Sequence, residues 1–274
     1  MKYETVHNVT LPKIGFGTWK IGGDTLPRPE WDTRSLAALH SALAVGYTHF
    51  DTAEFYAKGH SEELIGRAIR ETNTRREEVF ITSKVHPRHL AYNLLIKACE
   101  NSLSNLGMDT IDLYLIHWPT ANMDLNETFR ALNKLARDRK VKHVGVSNFN
   151  LRQLKQSQKL SEMPILTNQV PYSLSDRSYV KSGMLEYCQQ NEILLTAYSP
   201  INEGNLEISA MLKTIAEARN ASPYQIALAW LVMQPRVITI PMSYNLHHIK
   251  ENFAAADIEL TEDEMARLST AWNK

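Results

Sequence analysis

The stretch His49-Phe50-Asp51-Thr52-Ala53-Glu54-Phe55-Tyr56 sets a carboxylate at the end of a short apolar run and a phenol five residues later. Taken alone, the pair reads as a helix-capping Asp and a surface Tyr. Two further groups change that reading. The apolar run Val79-Phe80-Ile81-Thr82-Ser83 delivers Lys84, and the run from Ile111 to Ile116 delivers His117, with Trp118 and Pro119 behind it. All four lie at or just past the end of a strand-like segment, and in parallel α/β proteins those ends face one common crevice. A tyrosine, with a reference pKa of about 10, is a poor acid near neutrality. A lysine ammonium close to its oxygen is expected to favour the phenolate and depress that pKa, while Asp51 holds the ammonium charged and in place. His117 can hydrogen-bond the same substrate oxygen. The resulting chemistry is proton donation to an alkoxide forming from a carbonyl, with Tyr56 as general acid.

The elements that must position these groups repeat along the chain. Strand-like segments fall near Ile14, Thr48, Val79, Ile111, Val141, Ile165, Ile193 and Val237, and each interval is long enough for one crossover helix. Apolar residues at helical spacing, such as Leu36, Leu39, Leu43 and Ala44, mark the intervening helices. Eight strands and eight crossovers, without a Pro-, Gly- or Ser-rich linker, predict an α/β fold of one domain over residues 1–274. The expected architecture is a single (β/α)8 TIM-type barrel. Ahead of it, Tyr3 to Pro12 reads as an N-terminal β-hairpin turning at His7-Asn8. Behind it, additional C-terminal helices are expected from Leu246 to Ala256 and from Glu262 to Ser269. Ser61 before Glu62-Glu63, Asn150 before Leu151, and Thr261 with Glu264 read as helix starts. An open doubly wound sheet would alternate in the same way, but it needs a glycine turn that opens directly onto a helix. Gly15-Phe16-Gly17 with Gly22-Gly23 fails that test, because Asp24 to Glu30 holds two prolines and the helix starts only near Asp32.

The bulk composition excludes several classes. Lys+Arg 30 against Asp+Glu 30 gives no net charge, so no basic field draws nucleic acid or an anionic membrane. Cys99 and Cys188 stand alone inside helix-like runs, which favours a reduced, cytoplasmic protein and offers no metal spacing. No h-region opens the chain, and no apolar stretch has the length a membrane span needs. Secretion and membrane insertion are not expected, and neither is a bound metal.

Together these residues carry a resemblance. The chain resembles the aldo-keto reductases, and in particular small microbial members, collinearly over nearly its whole length. The match runs through Asp51-Thr52-Ala53 with Tyr56, Lys84, Leu115-Ile116-His117-Trp118-Pro119 and Gly145-Val146-Ser147-Asn148-Phe149. It continues through Asn168-Gln169, Thr196-Ala197-Tyr198-Ser199-Pro200 and Ile240-Pro241 to Glu251-Asn252. The resemblance implies NAD(P)H-dependent, reversible reduction of aldehydes or some ketones to alcohols, with the cofactor extended across the strand ends and no Rossmann domain. By that resemblance Asp51, Tyr56, Lys84 and His117 correspond to the catalytic tetrad. Ser147, Asn148 and Gln169 correspond to the groups that hold the nicotinamide carboxamide, and Tyr198 to the ring stacked on its face. Thr18, Trp19, Ser199, Ile240, Ser243, His248 and Asn252 are further expected cofactor contacts. The substrate pocket is expected to be a shallow mouth lined by Trp19, Phe55 and Trp118, with Trp272 nearby. The family default is a monomer acting on a small carbonyl substrate.

The chain departs from the family at the cofactor's far end. Members usually carry Ile-Pro-Lys-Ser and an Arg six residues after the Lys, both on the adenosine 2′-phosphate. Here Met242 stands at the lysine position and His248 at the arginine position. An Arg grips a phosphate at two points and a neutral His offers one donor. NADPH is therefore the default and NADH becomes possible. Two other readings stay open on the residues: a Schiff-base lyase acting through Lys84, and a nicotinamide-binding regulatory protein with little turnover. His86 and His89, three apart in a polar loop, read as solvated.

Overall fold

A computed structural model describes residues 1–271 of the 274-residue chain, so Trp272 lies outside the described residues. The chain opens with β1 (Tyr3–Val6) and β2 (Val9–Pro12), an antiparallel pair joined by His7 and Asn8 at φ 47° and 63°. Two left-handed residues match the twist of a two-residue hairpin turn. The barrel strands follow: β3 (Phe16–Gly17), β4 (His49–Asp51), β5 (Phe80–Val85), β6 (Ile111–Ile116), β7 (Val141–Ser147), β8 (Ile165–Pro171), β9 (Leu194–Tyr198) and β10 (Val237–Thr239). They pair in sequence order, all parallel. The sheet then closes on itself: Gly15 N–H donates to Thr239 O at 2.8 Å, Thr239 N–H to Lys13 O at 2.9 Å, and Gly17 N–H to Pro241 O at 3.1 Å. A Cβ at Gly17 would stand 2.5 Å from Ile240 O, so only glycine permits this approach of first and last strands.

The helices are α1 (Asp32–Val45), α2 (His60–Glu71), α3 (Tyr92–Leu106), α4 (Leu125–Arg137), α5 (Leu151–Leu160), α6 (Ser178–Lys181), α7 (Met184–Gln190), α8 (Ala210–Ala218), α9 (Pro223–Val232), α10 (Leu246–Ala254) and α11 (Glu262–Ala271). Thr261 with Glu264 forms the expected reciprocal cap, and Asn150, expected as a helix start, forms one with Gln153. Ser61 does not cap α2. The helix begins one residue earlier, and the Ser61 hydroxyl turns inward to donate to Thr18 Oγ1 at 3.1 Å. The hairpin plugs the far end of the barrel: Val6 and Leu11 pack on Leu113, Leu115, Leu166, Leu194 and Ile238. No described helix is long and apolar enough to cross a membrane. Cys99 and Cys188 are buried and unpaired.

Candidate active site

Strand ends bring the four ionisable residues to one point. Asp51 closes β4, Lys84 lies on β5 in register with Leu115 of β6, and His117 follows Ile116 directly. Thr18 fixes Asp51 from the neighbouring strand, its N–H and hydroxyl donating to Asp51 O at 3.0 and 2.9 Å. Lys84 is fully buried, and its ammonium has three acceptors: Asp51 Oδ1 at 2.5 Å, Thr52 O at 2.7 Å and Tyr56 Oη at 3.3 Å. The other oxygen of Asp51 accepts from Gln169 Nε2 at 2.7 Å. Burial works against the charge on Lys84, but Asp51, helped by Tyr56, outweighs it and the ammonium is held above its ordinary range.

Tyr56 departs from expectation. Burial pushes its phenol above the ordinary value, and the pull of Lys84 recovers only part of that. The reason is that the ammonium lies 3.3 Å away and is already neutralised by Asp51, while desolvation acts in full on a phenolate. Tyr56 is thus a protonated phenol whose oxygen accepts from Lys84, which leaves its own O–H free to donate into the cavity. His117 is pushed down to about 2 by burial, with the Lys84 and His86 charges adding, so its ring is neutral. Its Nδ1 is buried without a partner, and the ring stacks on Trp118 at 3.6 Å.

The segment carrying Tyr56 is under backbone strain. Ala57, Lys58 and Gly59 follow at φ 47°, 52° and 91°, and Ala57 N–H donates to Asp24 O at 2.8 Å. Such a run of left-handed residues costs energy that the surroundings must supply. The start of α2 supplies it. Ser61 is tied to Thr18, Ser83 Oγ donates to Glu62 Oε1 at 2.6 Å, and His60 lies between Asp32 at 2.8 Å and Glu63 at 2.7 Å. Sequence reasoning read Ser61 and Glu62 only as helix-start residues, since nothing in their spacing points to strands β3 and β5.

A cavity of about 820 Å³ opens over these groups. Asp51, Tyr56 and His117 line its floor, and Trp19, Phe55 and Trp118 line one end. There the Trp19 and Phe55 rings stack at 6.1 Å, with Trp118 edge-on to Phe55 at 6.1 Å. Thr18, Ser147, Asn148, Gln169, Tyr198, Ser199, Ile240, Ser243, His248 and Asn252 line the rest of it. Of the expected residues that are described, Lys84 alone is not on the cavity wall but bonds to Asp51 and Tyr56, which are. Several of the polar groups hold one another. Ser147 Oγ donates to Gln169 O at 2.9 Å, Asn148 Nδ2 to His117 O at 3.0 Å, and Tyr198 Oη to Asn148 Oδ1 at 2.9 Å. Met242, also on the wall, is half-buried against the core, while His248 is exposed.

Two features of the rim have no counterpart in the sequence reading. Lys20 and Glu203, both on the cavity wall, pair at 2.8 Å. Outside Phe55, the Glu54 carboxylate accepts the His86 N–H at 2.5 Å and His89 Nδ1 at 3.0 Å. His86 and His89 are therefore anchored rather than simply solvated, because a carboxylate two residues before Tyr56 reaches their loop. Among the described residues no group of His, Cys, Asp and Glu has the arrangement of a metal site.

Comparison with known proteins shows the family. A family model described as the aldo/keto reductase family matches residues 13–273. The methylglyoxal reductase of Escherichia coli (strain K12) is 36% identical over 97% of this chain and 92% of its own length. The glyoxal reductase of Bacillus subtilis (strain 168) is 36% identical over 98% and 92%. Among solved structures, a thermostable aldo-keto reductase in complex with the inhibitor epalrestat superposes with a TM-score of 0.96 at 42% identity, covering 98% of this chain and 99% of that one. An aldo/keto reductase from Klebsiella pneumoniae in complex with NADP and acetate gives 0.89 at 34%, over 99% and 95%. This (β/α)8 barrel, with its buried lysine–aspartate pair beneath a tyrosine, belongs to the aldo/keto reductase family.

Proposed function

We propose that this chain reduces small aldehydes to alcohols with NADPH, with Tyr56 giving the proton. The single observation that carries the reading is the Tyr56 oxygen, held as an acceptor by Lys84 at 3.3 Å so that its own proton is free toward the cavity. The residues fit a nicotinamide dinucleotide. The cavity lies within the roughly 300–1,000 Å³ typical of small-molecule sites. Its wall combines the acid group, a half-buried tyrosine ring, Tyr198, clustered amide groups and the polar Ser243 and His248. When bound, NADPH supplies the hydride.

The rest of the chemistry belongs to the protein. Ser147, Asn148 and Gln169 would orient the nicotinamide amide, and Tyr198 would cover its ring. Ile240, Ser243, His248 and Asn252 would receive the adenosine half, with Thr18, Trp19 and Ser199 along the wall between. A carbonyl between Tyr56 and His117 receives two hydrogen bonds. Tyr56 transfers its proton as charge builds on the oxygen, and neutral His117 orients without donating a net charge. Lys84, kept charged by Asp51, stabilises the phenolate left behind. The same three-acceptor grip leaves Lys84 no free lone pair, which argues against Schiff-base chemistry. Glyoxal-type substrates are the class favoured, since two curated relatives are named for them. With Met242 and His248 at the distal end, discrimination between NADPH and NADH is reduced.

The test is loss of nicotinamide absorbance with a panel of aldehydes, for wild type and Tyr56→Phe. The variant is expected to lose about 10²–10⁴-fold in kcat while binding NADPH as tightly. A variant that turns over as fast as wild type would refute the role of Tyr56, and a wild type inert toward every carbonyl would refute the function.

A further inference from the structure

Glu54 lies between Asp51 and Tyr56 and takes no part in the proton chemistry, yet its carboxylate is only 13% exposed. Its Oε1 accepts the backbone N–H of His86 at 2.5 Å, and both oxygens lie 3.0 Å from His89 Nδ1. Its own N–H donates to Lys84 O at 3.3 Å. The Glu54 side chain thus ties the segment after β4 to two residues of the segment after β5, and its backbone adds a bond to β5 itself. The ring of His86 is then oriented locally, because its Nδ1 accepts Arg88 N–H at 3.2 Å.

The consequence lies on the cavity wall. His86 stacks on Phe55, with centroids 5.1 Å apart and planes 26° apart, and so does Trp19 at 6.1 Å and 4°. Phe55 therefore stacks on two rings, and the loop that carries one of them, His86, is held through its backbone by Glu54. Phe55 also meets Trp118 edge-on, so its position sets the width of the mouth above Tyr56 and His117.

We infer that Glu54 is a positioning residue that determines substrate size: by clamping the His86–His89 loop it holds Phe55 in the wall and restricts the site to compact aldehydes. This role rests on the carbonyl-reductase reading of the site. Without the clamp the His86 ring leaves Phe55, Phe55 gains freedom, and the mouth loosens. Small substrates then lose their contacts, while a bulky aromatic aldehyde gains room.

The experiment compares wild type, Glu54→Ala and Glu54→Gln with NADPH, using glyoxal and 4-nitrobenzaldehyde as the compact and bulky substrates. Glu54→Ala is expected to raise KM for glyoxal about 10-fold with little change in kcat, and to shift the glyoxal to nitrobenzaldehyde ratio of kcat/KM about 10-fold toward the bulky substrate. Glu54→Gln keeps an oxygen for the His86 N–H and should stay near wild type. Hydrogen exchange at the His86 amide should be at least about 10-fold faster in Glu54→Ala. Equal loss on both substrates would mean a merely structural role and overturn the inference, as would an unchanged ratio. A slow His86 amide in Glu54→Ala would overturn the clamp itself, independently of turnover. A wild type inactive on both aldehydes would instead defeat the carbonyl-reductase reading, and the size-selection role with it.

Discussion

Replacing Asp51 by Asn removes the negative charge from a buried ammonium while leaving the side-chain shape in place. In the native pair Lys84 Nζ and Asp51 Oδ1 are 2.5 Å apart, with the two side chains 0% and 2% exposed. At an effective dielectric of about 20, unit charges at that separation attract by roughly 7 kcal/mol. The variant need not lose all of this, because Lys84 can release its proton. For a lysine of ordinary pKa, about 10.4, that release at pH 7 costs roughly 5 kcal/mol. The cheaper route limits the penalty, so Asp51→Asn should be destabilised by about 3–5 kcal/mol at pH 7.

The sign of the pH dependence distinguishes this account from simple loss of a hydrogen bond. In the wild type, burial opposes the ammonium but Asp51 and Tyr56 outweigh it, so the folded pKa is raised. That contribution is fully present below the unfolded pKa and is lost only as pH rises through the folded one. In the variant the folded lysine is neutral and the unfolded one charged. The unfolded chain then binds the extra proton, and the deficit should shrink by about 1.4 kcal/mol per pH unit between pH 7 and pH 9. Urea denaturation of both proteins at pH 7, 8 and 9 measures it. A deficit equal at all three values would refute the reasoning, since Lys84 would then keep its charge without Asp51.

His60 has carboxylate oxygens 2.8 and 2.7 Å from its two ring nitrogens, and although burial lowers its pKa, Glu63 and Asp32 raise it further. The stability gap between wild type and His60→Ala should be widest below the unfolded histidine pKa, near 6.5, and close as pH rises through the folded value; melting curves at pH 6 and 8.5 check this. The exposed Lys20–Glu203 pair joins two segments of the cavity wall, so Glu203→Gln should speed NADPH release by only about 1.5–5-fold. Stopped-flow at high salt should erase that difference, and a difference that survives salt would rule out the ion pair as its cause. Met242→Lys restores a cation at the distal end and should raise the NADPH-over-NADH ratio of kcat/KM by about 10–100-fold. An unchanged ratio would show that residue 242 does not meet the adenosine phosphate.

Much of the barrel was legible in the chain because short apolar segments recur at intervals long enough for one helix, and a parallel sheet buries both faces of every strand. The hairpin at His7-Asn8 and the reciprocal cap at Asn150 are local, decided by residues two to three apart. Asp51, Lys84 and His117 could be grouped beforehand for a similar reason: each lies at or within one residue of a strand's end, and strand ends converge in any closed parallel barrel. What stayed hidden depends on partners far apart in the chain. Closure rests on Thr239 meeting Lys13 and Gly15, and on Gly17 leaving room for Ile240. The inward turn of Ser61, the grip of Glu54 on the His86 loop and the Lys20–Glu203 bridge each join segments that only folding brings together. The protonation of Tyr56 belongs with them. Its residue type and the nearby lysine suggested an acidified phenol, but the balance between desolvation and attraction is set by burial depth and by a 3.3 Å separation, which are properties of the packed barrel.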